Sequence, residues 1–141
     1  MIETDRFVNA SGWCRGRLGP LGPLVPTKIM LAENSGLLRF EAHTGNQPVT
    51  LQVVTFELPA NIQTGKHDGH ARAFSIYRYG GEKVERWRGD SGFIDLVVDR
   101  AKQEFSATLD YAVRAPDQSE FNVTIELSIL GFNQIIIPSL S

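Results

Sequence analysis

Between Glu104 and Ile129 the sequence alternates so regularly that only one kind of backbone can carry it. Phe105, Ala107, Leu109, Tyr111 and Val113 take every second position, with Glu104, Ser106, Thr108 and Asp110 between them. After Ala115-Pro116-Asp117-Gln118 the pattern resumes, Phe121, Val123, Ile125, Leu127 and Ile129 alternating with Asn122, Thr124, Glu126 and Ser128. A helix would scatter these apolar side chains around its circumference, whereas a strand gathers them on one face. One apolar and one polar face is the signature of antiparallel strands that are wet on one side.

The chain from Pro26 onward follows the same style, short β-rich runs punctuated by turn chemistry. Glu33-Asn34-Ser35-Gly36, Gly45-Asn46-Gln47-Pro48, Gly80-Gly81 and Asp99-Arg100-Ala101-Lys102 separate runs such as VTLQVVTFEL and RAFSIYRY. No ten-residue window combines helical periodicity with caps. The expected fold is therefore all-β, an antiparallel β-sandwich or closed β-barrel of about eight strands. Its C-terminal half reads as a five-stranded hairpin meander from Arg72 to Phe132. The 141 residues form one β domain, with 27–141 as the β core. Residues 1–26 read as an irregular N-terminal arm, in which Phe7, Val8, Trp13, Cys14 and Leu18 dock an arm or a short strand onto the body. It ends in the Gly/Pro-rich strip Gly19-Pro20-Leu21-Gly22-Pro23-Leu24-Val25-Pro26, which can be neither helix nor central strand.

Trp87-Arg88-Gly89-Asp90-Ser91-Gly92-Phe93 contains two well-known strings, GDSG and RGD. The first lacks the partners and the chain length of a chymotrypsin-like protease, and the second needs an extracellular setting. The expectation is a tight turn between two strands, with Asp90 and Ser91 capping backbone N–H groups and Trp87 near Phe93.

Charge narrows the partners. A net charge of −2, with 42 % hydrophobic and 21 % charged residues, gives no bulk attraction to nucleic acid or an anionic membrane. The single cysteine, Cys14, has no partner for an internal disulfide, which fits a reducing compartment. The opening MIETDRFVNASGW has neither the basic nor the apolar part of a signal peptide, so a cytoplasmic location is expected.

Three groups of residues bear chemistry. Tyr77, Tyr79 and Trp87 are interleaved with Arg78 and Arg86 on the hairpin around Gly80-Gly81. Aromatics there offer a stacking platform, and arginines can hold phosphate or carboxylate; cross-strand packing is the alternative role. His67, Asp68 and His70 sit in the long link from Pro59 to Ala71, and imidazole with carboxylate is a metal-ligating combination. Ile135, Ile136 and Ile137 put apolar side chains on both faces of a terminal segment, which points to a homo-oligomer, most simply a homodimer. Cys14 and His43 could pair as thiol and base, but nothing marks the thiol as activated.

No complete catalytic constellation emerges, and no cofactor is expected. The hairpins from Gly92-Phe93-Ile94-Asp95-Leu96 to Phe105-Ser106-Ala107-Thr108-Leu109 resemble those of small lipocalin-like and sandwich proteins. That likeness carries no functional residue across. The expected function is a non-catalytic binding or protein-interaction module. Alternatives are a lipocalin-like (calycin) barrel carrying a small apolar ligand and a metal-dependent enzyme built on the His67/His70 loop.

Overall fold

A computed structural model of the chain describes residues 10–47, 50–68, 72–80, 83–117 and 119–138. Ten strands follow one another: β1 (Ser11–Arg17), β2 (Pro23–Leu24), β3 (Lys28–Asn34), β4 (Leu37–Gln47), β5 (Thr50–Pro59), β6 (Gly65–Asp68), β7 (Arg72–Gly80), β8 (Lys83–Asp99), β9 (Glu104–Arg114) and β10 (Glu120–Leu130). All belong to one antiparallel sheet in the order β2-β1-β10-β9-β8-β7-β5-β4-β3, with β6 paired to β8. The sheet is not closed, and it has ten strands where the sequence pattern pointed to about eight.

The alternation that opened the sequence is borne out. Residues 105, 107, 109, 111 and 113 of β9 and 123, 125, 127 and 129 of β10 are buried. They join Ile29, Leu31, Phe40, Phe56, Phe74, Ile94 and others in one core cluster that reaches every strand except β6. Because strands from both ends of the sheet bury side chains in that cluster, the sheet folds back on its own apolar face. Stacked rings fill it, with Phe40 on Phe56 and Phe74 on Tyr111, both at 5.0 Å. At the β3–β4 turn Ser35 and Gly36 both take positive φ, 55° and 81°, the geometry of a two-residue hairpin loop.

The WRGDSGF stretch is not a turn. β8 runs through it as one strand of 17 residues, and the pairing with β9 slips between Gly89 and Ser91. This β-bulge changes the phase of alternation. Trp87 points inward before it, whereas Ile94 and Leu96 point inward after it. A strand with such a phase change loses its period-two signal, and glycines around the change resemble turn chemistry. The bulge also marks a change of partner: Lys83 to Arg88 pair with β7, and Phe93 to Leu96 pair with β6. The meander thus has four strands rather than five. The long link after Pro59 contains β6, tied down by Arg100, whose guanidinium donates to the carbonyls of Ala60 and Ile62.

Within the expected N-terminal arm, β1 is a full strand, paired with β10 over all seven of its residues. Its inward positions include Gly12 and Gly16, where an added Cβ would collide with the carbonyls of Ser128 and Thr124. Small residues allow this close approach but hide the strand from a search for apolar alternation. β2, carrying Pro23, pairs only with Gly16 and Arg17. Proline at the end of a sheet is where a residue without a donor does least harm.

The opposite margin is covered by the segment after β10. Asn133 N–H donates to Leu31 O, Ile136 exchanges two backbone hydrogen bonds with Ile29, and Asn133 Oδ1 accepts from Glu33 N–H at 2.8 Å. Ile136 is buried, while Ile135 and Ile137 are exposed.

Candidate functional site

The outer face of β7 and the first part of β8 aligns a serine, two tyrosines and two arginines. Register pairs Tyr77 with Arg86, Tyr79 with Val84, and Ser75 with Arg88. On the other side β5 sets Val53 beside Tyr77 and Thr55 beside Ser75. These positions face away from the core, yet Ser75 is only 1 % exposed and Val53 and Thr55 are also buried. Over Ser75 the cover includes the Arg86 side chain.

Arg86 is central to that cover. Its Nε and Nη2 donate to Ser75 Oγ at 3.3 and 3.2 Å, and its guanidinium carbon lies 5.2 Å from the centre of the Tyr77 ring. Tyr77 and Tyr79, two residues apart on one strand face, lie nearly parallel with ring centres 6.3 Å apart. The structure therefore brings Tyr77, Tyr79 and Arg86 together. Trp87 and Arg78 fall on the other face, because neighbours along a strand alternate. Trp87 is buried against Phe121 at 5.8 Å, and Arg78 is 4.0 Å from Glu85. Among the described residues neither Arg86 nor Arg88 has a carboxylate within ion-pair distance.

Further across the same face the charges are balanced. Glu41 accepts from Arg39 Nε and His43 Nε2, both at 3.1 Å, and Arg39 also reaches Glu57 at 3.4 Å. Residues 39, 41 and 43 share a face of β4, which brings them within reach of one another. Sequence reading missed this group because its members, two apart on β4 and cross-strand to β5, match no motif.

The remaining candidates are dispersed. His67, on β6, makes a 2.7 Å hydrogen bond between Nε2 and Gln63 O, and Asp68 is exposed. His70 lies outside the described residues. Among the described residues no group of three His, Cys, Asp or Glu side chains is placed to hold a metal. Cys14 points inward from β1 while His43 points outward from β4, so they do not form a pair. Burial pushes the Cys14 thiol up to about 12. Asp90, the acid of both famous strings, pairs with Arg114 at 3.2 Å, and Arg114 also holds Glu120 at 2.9 Å. These two carboxylates raise the Arg114 pKa further, the hydrogen bond with Glu120 acting most strongly.

No helix among the described residues is long and apolar enough to cross a membrane. No protein-family model matches the chain, and no curated protein or solved structure matches it significantly.

Proposed function

We propose that the protein is a non-catalytic binding module that takes a small, ring-bearing anion on the outer face of β7 and β8. The carrying observation is the Tyr77–Tyr79–Arg86 arrangement, with Arg86 held by a buried serine hydroxyl and without an acidic partner among the described residues. Aromatic faces offer stacking area at little entropic cost, and a guanidinium already fixed by two hydrogen bonds loses little freedom on binding. Arg88 on the same face adds a second positive charge. An acidic sugar fits this chemistry, its ring on Tyr79 and its carboxylate toward Arg86 and Arg88.

The interior argues for a surface site over an apolar carrier. Phe40 with Phe56, Phe74 with Tyr111, and Trp87 with Phe121 occupy the folded-back face where a calycin-type ligand would lie. We therefore read the sheet as wrapped around a filled core.

Titration calorimetry with a uronic-acid oligosaccharide, its neutral counterpart and a nucleoside monophosphate tests this function. Saturable binding of the uronate, weakened about tenfold or more by Arg86→Ala and by Tyr79→Ala, is expected. Preference for the nucleotide would assign the anion to phosphate instead of carboxylate. Heats that neither substitution changes, or no saturable binding of any probe, would reject the site.

A further inference from the structure

Charge changes sign along the outer face of β7 and β8. Toward the hairpin end Tyr79 is paired with Val84, and both side chains, one aromatic and one aliphatic, are exposed. The next outward pair is Tyr77 with Arg86, and the one after it Ser75 with Arg88. Successive outward pairs are about 6.6 Å apart, which puts the Arg88 row roughly 13 Å from the Tyr79 row. These three pairs include two arginines and no acid.

Past Arg88 the balance reverses. Arg88 is opposite Arg114 of β9, and Arg114 is opposite Glu120 of β10. Arg114 binds Asp90 at 3.2 Å and Glu120 at 2.9 Å, so this group has two carboxylates for one guanidinium. The bulge supplies the first of them. Gly89 is opposite Val113 and Ser91 opposite Ala112, which leaves Asp90 as the extra residue, its carboxylate turned to Arg114. Adjacent strands lie about 4.8 Å apart, inside the screening length of about 8 Å at physiological salt. A further negative group extending past Arg88 is thus set against like charge, which penalises it. In the other direction, Tyr79 and Val84 penalise no neutral group and offer it contact area.

We propose that the site takes the acidic end of a chain and not its middle, its ligand being a saccharide with one terminal uronate followed by neutral residues. The carboxylate lies toward Arg86 and Arg88 and the uronate ring on Tyr79. The neutral residues leave past Val84 toward the hairpin end. Asp90 and Glu120, held by Arg114, close the opposite direction to a polyanion. This inference rests on the anion-site reading above and adds to it the class of ligand and its direction.

Titration calorimetry with three trisaccharides tests it: one with a terminal uronate on two neutral hexoses, one with the uronate in the middle, and one made of three uronates. The terminal uronate should bind about tenfold or more tighter than either of the others. Asp90→Asn/Glu120→Gln, with circular dichroism as the control for folding, should bring the three-uronate chain within about threefold of the terminal one. Equal affinity for all three, with binding still lost in Arg86→Ala, overturns the end-recognition proposal and leaves the anion site standing. A preference for the three-uronate chain overturns it too, as does a double variant that keeps the tenfold difference or strengthens all three saccharides equally. No saturable binding of any of them rejects the anion site itself, and this inference with it.

Discussion

The rings of Phe74 and Tyr111 stack at 5.0 Å and 19° although they belong to β7 and β9, with β8 between them. They can meet because β8 is glycine where they cross it. A Cβ on Gly89 would lie 3.1 Å from Phe74 Cβ, and one on Gly92 would lie 2.8 Å from Tyr111 Cδ1 and strike the carbonyl of Asp110. Gly92 also has φ of 152°, a conformation that side chains resist. Gly92→Ala should therefore destabilise by roughly 1–3 kcal/mol or more, and Gly89→Ala by less. Tyr111→Ala should cost roughly 3–5 kcal/mol, with a Phe74–Tyr111 coupling of about 1 kcal/mol in a double-mutant cycle. Denaturant unfolding measures all of these.

These glycines also explain which parts of the fold were legible. In β9 and β10 every inward position from Phe105 to Val113 and from Val123 to Ile129 is apolar, so period two survives in the sequence. In β8 the bulge shifts the phase between Trp87 and Ile94, and in β1 Gly12 and Gly16 replace apolar residues. The continuity of β8 and the full pairing of β1 were therefore hidden by the physical devices that let these strands fit. The site was half legible for a related reason. Composition marked Tyr77, Tyr79 and Arg86, but separating them from Arg78 and Trp87 required knowing which alternate positions face outward. The Ser75 anchor had no signal at all, since a lone serine in a strand announces nothing until its burial is known.

Asn133 combines two roles in capping the β3 margin. Its φ is 63°, and its Oδ1 accepts from Glu33 N–H. Asn133→Ala should cost about 1–2 kcal/mol, because it loses the acceptor and tolerates positive φ less well. Asn133→Gly keeps the backbone freedom and Asn133→Asp keeps the acceptor, so each should cost less. Thermal melts of the three variants order these contributions.

Cys14 should be inert in the native protein. Its thiol is buried, with its pKa pushed up from 9.0 to about 12 by loss of solvation. A thiol reagent at pH 8 should modify it only as fast as the chain opens, and denaturant should accelerate the reaction strongly. The same shift makes stability pH-dependent. Below the unfolded value the thiol is protonated in both states and its contribution is complete. Above about pH 9 the unfolded chain releases a proton that the native chain retains, so stability should fall as pH rises toward 12. Cys14→Ala should flatten that part of the curve.

Asp117 offers the opposite sign in the turn between β9 and β10. Ser119 donates to its carboxylate from Oγ at 2.6 Å and from the backbone at 2.9 Å, which lowers the Asp117 pKa. Carboxyl chemical shifts should show Asp117 titrating below the ordinary aspartate range, and Ser119→Ala should move it upward. The turn's ionised form is favoured above that ordinary range and lost as pH falls through the lowered value.

The pairing of β1 with β10, and of β3 with residues 133 and 136, joins parts of the chain about as distant in sequence as it allows. Arg15 and Glu126 are 111 residues apart, and Glu33 and Asn133 are 100 apart. Both margins of the sheet thus wait for the same late stretch of polypeptide. Until β10 and the segment behind it arrive, β1 has no strand to pair with along its length and β3 presents a bare edge. Folding should accordingly be slow for a domain of this size, on the order of milliseconds to seconds, and aggregation should compete most strongly in that interval.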